Sequence, residues 1–278
     1  MRIATLSGRL VLVTEAGAVD VEQASERRFS ADPQAIYDRW AEFRDWAAAA
    51  PHDTAAPFAE SDLGAPVPAP RQIFGVGLNY RDHAAEAGLG LPDSPTVFTK
   101  FASSLTGPSG AIALPGPTDW EVELVAVIGV LARDVPAERG WEHVAGLTVG
   151  QDLSDRTLQL AGPAPQFSLG KSRPGFGPIG PWVVTPDEFA DPDDLALGCA
   201  VNGESVQKSR TGELIFSVPE LVARLSAVLP LWPGDLIFTG TPAGVGMARS
   251  PQRFLGPGDE LVSTIEGIGR MHHRFTAP

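Results

Sequence analysis

Three carboxylates, Asp119, Glu121 and Glu123, stand at alternating positions in the stretch DWEVELVAVIGV, and an unbroken apolar run follows them. On an extended chain residues i and i+2 point the same way, so Glu121 and Glu123 share a face and Asp119 can join them. Two ionised carboxylates about 5 Å apart repel by roughly 3 kcal/mol at an effective dielectric near 20. Such a pair needs a proton, a cation or full solvent. A wet strand end is the plainest remedy, but LVAVIGV reads as a strand buried on both faces, which leaves little room for water. A hard divalent cation with oxygen ligands is the natural alternative.

Further along the chain, other side chains fit such a site. GLTVGQDLSDRTLQ ends an apolar strand at Asp152, with Asp155 three residues on, and either can supply another oxygen or cap a turn. LGKSRPGFGPIGP sets Lys171 among glycines and prolines, as a surface charge or as a cation shown to a ligand. In GLNYRDHAAEAG, His83 and Glu86 are spaced i, i+3, which on a helical turn lets a carboxylate orient an imidazole that can draw a proton from water. PGDLIFTGTPAGVG carries Thr239 and Thr241 with four glycines, a turn able to approach a ligand through backbone N–H groups. It lacks the Gly-Lys-Ser/Thr ending of a phosphate loop. His52, His143, His272 and His273 have no comparable surroundings and read as structural.

The elements that must position these groups are mostly strands. Many short β-branched runs punctuated by 26 prolines and 30 glycines predict a β-rich, α+β fold with few helices. SVPELVARLSAVL is the clear later helix, with Leu221, Leu225 and Leu229 at four-residue spacing. At the N-terminus, residues 1–22 read as short strands joined by Gly turns, and PQAIYDRWAEFRDWAAAA as a helix with Ile36, Trp40, Phe43 and Trp46 on its buried stripe. Residues 51–71, rich in Pro and Ala, read as a connector. The expected division is a small N-terminal domain, 1–65, and a catalytic domain, 66–278. The two Pro-Gly-Asp sequences, at 233–235 and 257–259, read as turns opening strands.

Bulk properties exclude several functions. A chain of 278 residues can bury a substantial core, and its net charge of −13 opposes binding to nucleic acid or anionic membrane surfaces. No apolar stretch is long enough to span a membrane, and MRIATLSGRL lacks the core of a signal peptide, which leads us to expect a soluble, cytoplasmic protein. The single cysteine, Cys199, lies in LALGCAV and reads as a buried, inert thiol.

In order along the chain, GVGLNYRDHAAEAG, PTVFTKFASSLTGP, DWEVELVAVIG, GLTVGQDLSDRTLQ, GKS with GPIGPWVVT, VNGESVQKSRTGELIFSVPELV and PGDLIFTGTPAGVG closely resemble the fumarylacetoacetate hydrolase family. The resemblance covers roughly residues 71 to 275. It implies a compact, mostly β-roll catalytic domain behind a small N-terminal domain, and the homodimer usual in the family. It also implies Mg²⁺ or Mn²⁺ held by Glu121, Glu123 and Asp152, which prefers Asp152 to Asp155 and puts Asp119 behind the ligands. Lys171 is then a base or oxyanion partner beside the metal, Gln159 and Thr241 contact substrate oxygens, and His83 with Glu86 lies in a mobile lid that activates water. Where many members carry an aromatic–acid pair after the lysine, this chain has Arg173 and Pro174, and Arg173 becomes a candidate partner for a second substrate carboxylate.

The reaction so implied is hydrolysis of a C–C bond in an acylpyruvate- or fumarylpyruvate-type 2,4-dioxo acid, the metal stabilising the developing enolate. Relatives use the same chemistry to decarboxylate oxaloacetate and to isomerise 2-hydroxyhepta-2,4-diene-1,7-dioate in aromatic catabolism. The competing class is a non-enzymatic β-rich binding module with structural acids, which needs neither the lysine nor the His–Glu pair.

Overall fold

The computed structural model describes residues 1–51 and 54–278, so His52 lies outside the described residues. The molecule is mostly β and has the expected α+β character. The larger sheet runs in the order Gly17–Asp20, Arg9–Thr14, Arg2–Leu6, Gly177–Val184, Val144–Gln151, Val122–Ile128, Leu236–Phe238, Ile73–Gly77 and Thr96–Thr99. A second sheet orders Glu204–Arg210, Ala196–Val201, Glu260–Ile265, Gly269–Thr276 and Ser109–Ala113. Both Pro-Gly-Asp turns precede strands as expected, Leu236–Phe238 and Glu260–Ile265.

Every residue of the central strand Val122–Ile128 is buried, because each of its faces meets a different core. The even-numbered side chains Val122, Leu124, Ala126 and Ile128 join one cluster, with Leu197, Leu221 and Leu261. The odd-numbered Val125 and Val127 join another, with Ile179, Val183, Leu236 and Phe238. Period-2 alternation thus explains the unbroken apolar run, and it puts Glu121 and Glu123 on the Val125 face.

The second cluster also contains Ile3, Leu10, Leu12, Val19, Ile36, Tyr37, Trp40 and Phe43. The N-terminal segment adds its strands to the same sheet, Arg2 and Ile3 pairing with Val184 and Val183. Sheet and core therefore run across the proposed boundary at residue 65. The aromatic stripe lies on a 3₁₀ turn, Ala35–Arg39, followed by the helix Trp40–Ala47. The connector contains a further 3₁₀ turn, Glu60–Asp62, and two residues, Leu63 and Gly64, paired with the first strand. The later helix spans Val218–Ser226, opens on a Ser217–Glu220 capping box, and stops before Leu229. Cys199 is buried, and that burial pushes its thiol up, out of the range of a reactive thiolate. Among the described residues no helix is long and apolar enough to cross a membrane.

Candidate active site

Two strand ends meet to make the site. Val122–Ile128 pairs antiparallel with Val144–Gln151, and the pairing resumes beyond a break as Asp119 opposite Ser154. In the gap the Asp152 amide donates to the Glu121 carbonyl at 2.9 Å. That register brings Glu121, Glu123 and Asp152 together, each offering an oxygen within 4.8 Å of the others, all buried. Solvent is thereby removed as the remedy for their repulsion.

Cations provide part of the answer. Lys171, on the segment after the short helix Phe167–Gly170, places its ammonium 2.5 Å from Glu121 and 2.6 Å from Asp152. Lys100, also buried, donates to Asp152 at 2.6 Å and to the Lys171 carbonyl. Arg156 joins Glu121 at 2.7 Å to Asp119 at 2.7 Å, and its Nη1 donates to Gln159 Oε1 at 2.8 Å. The four acids Asp119, Glu121, Glu123 and Asp152 against the three bases Lys100, Lys171 and Arg156 give −4 + 3 = −1.

Glu123 is the acid of the cluster without an ion-pair partner. Among the described residues its partner is the Gly240 amide, 2.9 Å away, and no side-chain cation reaches it. Burial, and then the charges of Asp152 and Glu121, push its carboxyl well above the usual carboxylate range. Burial acts in the same sense on Glu121, but Lys171 and Arg156 outweigh it and hold that carboxyl below its ordinary value. Lys171 is itself opposed by burial and is raised by Asp152 and Glu121. A buried, oxygen-only donor set with one unneutralised carboxylate fits a hard divalent cation.

The loop after Leu236–Phe238 serves these acids. The glycines expected to approach a ligand instead aim amides at carboxylates: Gly240 at Glu123, Gly246 at Asp119 (2.6 Å) and Gly244 at Glu86 (3.0 Å). Gly244 has φ +107°, and a Cβ there would lie 2.1 Å from the Val206 carbonyl, so this approach requires glycine. Thr241 donates to the Val122 carbonyl at 2.9 Å and accepts from Gln207 at 2.8 Å, tying the loop to the strand of acids. Thr239 likewise donates to the Leu124 carbonyl.

His83 and Glu86 lie on the helix Arg81–Glu86, Nδ1 to Oε2 at 3.1 Å, both partly exposed. Through Glu86 and Gly244 this helix joins the loop that contacts Glu123. Asp155 stands apart from the acid cluster: it caps the helix Arg156–Gln159 through the Leu158 amide and pairs with Arg173 at 2.8 Å. His143 and His272 are on the surface, and His273 is buried against the Gly107 carbonyl. Sequence reasoning missed Lys100 and Arg156. Arg156 was detectable three residues before Gln159, one helical turn, which puts the two on the same side of the short helix Arg156–Gln159. Lys100 had no signal, because its partners lie 52 and 71 residues away.

Comparison with known proteins shows the family. Residues 72–276 match the model of the fumarylacetoacetate (FAA) hydrolase C-terminal domain. A mitochondrial oxaloacetate tautomerase of Bos taurus is 44% identical over 216 residues, 77% of this chain and 69% of that protein. An HpcE-like crystal structure from Mycobacterium smegmatis superposes with a TM-score of 0.95 at 57% identity, over 100% of this chain and 99% of that one. Maleylpyruvate hydrolase from Sphingobium sp. SYK-6, solved with manganese(II) and pyruvate, has a TM-score of 0.80 at 27% identity, over 100% and 99%.

Proposed function

The chain is an enzyme of the fumarylacetoacetate hydrolase family, and from that premise we propose that it hydrolyses a C–C bond of an acylpyruvate-type 2,4-dioxo acid, with Mg²⁺ or Mn²⁺ held by Glu121, Glu123 and Asp152. The observation that carries this reading is the His83–Glu86 pair, a partly exposed base whose carboxylate partner is fixed to the loop serving Glu123. A divalent cation held by these acids would offset their negative charge, which suits an anionic 2-oxo acid, and would polarise the substrate oxygens as a Lewis acid.

The chain's own groups supply the rest. With Nδ1 held by Glu86, His83 Nε2, which bonds no group among the described residues, can take a proton from water, and Glu86 stabilises the imidazolium that forms. The water oxygen bonds to the distal acyl carbon, which departs as a carboxylic acid; the bond from that carbon to the pyruvate C3 breaks with its electron pair left on C3, and C3 takes the proton that His83 removed from water. The Lys171 ammonium offsets negative charge growing on the 2-oxo-acid side. Because Gln159 Oε1 already accepts from Arg156, its NH₂ is left as a donor to a substrate oxygen. Thr241, engaged at its hydroxyl on both sides, holds the loop in place and keeps acceptor capacity alone for substrate. Arg173 has its Nε on Asp155 and a side chain 42% exposed, and its terminal nitrogens suit a second carboxylate on the substrate.

A second reading, tautomerisation or decarboxylation of oxaloacetate, is favoured by the 44% identity to an oxaloacetate tautomerase. Decarboxylation needs no attacking water. The two readings separate in His83→Ala and Lys171→Ala, assayed on acylpyruvates and on oxaloacetate with saturating Mg²⁺ or Mn²⁺. Loss of a general base costs about 10² to 10⁴ in rate, so His83→Ala loses hydrolysis selectively, whereas Lys171→Ala damages both activities. Acylpyruvate hydrolysis left intact in His83→Ala would rule out this mechanism.

A further inference from the structure

The helix carrying His83 and the loop carrying the Gly240 amide come from distant parts of the sequence, and one side chain joins them. Asn79, fully buried, sits at the root of that helix. Its Nδ2 donates to the Thr239 carbonyl at 2.7 Å and to the Phe216 carbonyl at 3.0 Å, and its Oδ1 accepts from the Phe216 amide at 2.8 Å. Its own carbonyl accepts from the Ile215 amide at 2.8 Å. One amide thus uses both donor hydrogens and its oxygen to fix three chain segments.

The contact with the loop is steric as well as polar. Gly240 has φ +103°, and a Cβ on it would lie 2.8 Å from Asn79 Cβ, so the loop backbone rests against this residue. Gly240 then donates to Glu123, while the flanking Thr239 and Thr241 bond the central strand at Leu124 and Val122. On the other side of Asn79, Leu78 has φ +55°, a left-handed conformation that leucine rarely adopts. Such a backbone persists where its surroundings over-determine it. Here the four Asn79 hydrogen bonds follow immediately, and they set the direction in which the chain leaves the strand Ile73–Gly77 to form the helix with His83.

We infer that Asn79 is a positioning residue that couples the placement of His83 to that of Glu123 by joining the root of the helix to the Thr239–Gly240 backbone. This rests on the reading of His83 as the base and Glu123 as a metal ligand. It predicts that one substitution disturbs both functions. Asn79→Asp keeps the size and the acceptor for Phe216 while removing both donated bonds.

The test measures Mn²⁺ affinity by calorimetric titration, thermal unfolding, and kcat and KM on an acylpyruvate, in Asn79→Asp, His83→Ala and the double variant. Folded Asn79→Asp binds Mn²⁺ roughly tenfold more weakly and loses about 50-fold in kcat, with KM changed less than about threefold. In the His83→Ala background the kcat cost falls below about threefold, the non-additivity expected when one residue acts through the other. Mn²⁺ affinity within about twofold of wild type, or kcat losses that multiply in the double variant, would overturn the inference. If the aspartate variant does not fold, Asn79→Ser, too short to reach the Thr239 carbonyl, gives the same readings. If the wild-type protein does not cleave acylpyruvates, the proposed reaction fails, while the Mn²⁺ titration still decides the role of Asn79 at Glu123.

Discussion

Glu123 differs from the carboxylates beside it in its partners: Glu121 and Asp152 touch Lys171, whereas Glu123 has a backbone amide. An uncompensated buried charge destabilises the fold unless a proton or cation arrives. Glu123→Gln keeps shape and removes the charge, so without metal it should melt no lower than wild type. With Mn²⁺ at 100 times its Kd, mass action should stabilise wild type by about 2.7 kcal/mol and leave the variant nearly unmoved. Calorimetric melting with Mn²⁺ and with chelator checks this, and an equal Mn²⁺ shift in both proteins would remove Glu123 from the ligand set.

At the scale of elements, the site depends on short pieces held by their ends. The helix Arg156–Gln159 has four residues, too few to be stable alone, yet it carries Arg156 and Gln159. Asp155 caps it through the Leu158 amide at 3.0 Å and ties it to Arg173. Asp155→Ala should therefore cost about 1 kcal/mol in urea unfolding, the usual worth of an N-cap. Mn²⁺ affinity should survive, because Asp155 lies outside the acid cluster, whereas Asp152→Ala should abolish it. Comparable loss of affinity in the two variants would show that the helix, rather than Asp152, governs binding.

In the molecule as a whole, the N-terminal segment covers one face of the sheet that bears the acids. Ile3, Leu10, Val19 and Phe43 share a core with Val125, Ile179 and Phe238, so deleting residues 1–65 would strip that core. The truncated chain should fail to fold as a soluble unit, and a cooperative melt from it would show that 66–278 is self-sufficient. A second whole-molecule property is acid sensitivity. Burial lowers the His273 imidazole to about 4, with the Gly107 carbonyl opposing the shift. The unfolded chain, near 6.5, binds the proton more readily, so the stability of neutral His273 is complete above pH 6.5 and is lost as pH falls toward 4. The full shift corresponds to about 3 kcal/mol. Urea unfolding at pH 7.5 and 5 checks this: His273→Asn should flatten the dependence, and an unchanged slope would refute it.

What the sequence by itself determined is what local chemistry and period-2 alternation dictate. Glu121 and Glu123 had to share a face, LVAVIG had to be buried, with Val130 beyond it exposed, and His83 could meet Glu86 because three residues is one helical turn. Motif order carried the family, and with it Asp152 and Lys171. The tertiary structure alone decided which charges meet. Lys100 reaches Asp152 across 52 residues and Asn79 reaches Thr239 across 160. The glycines read as ligand-facing hold carboxylates instead, since a buried acid claims the nearest amides. Such pairings depend on strand register and loop path, which are set by how the two cores pack rather than by neighbours along the chain.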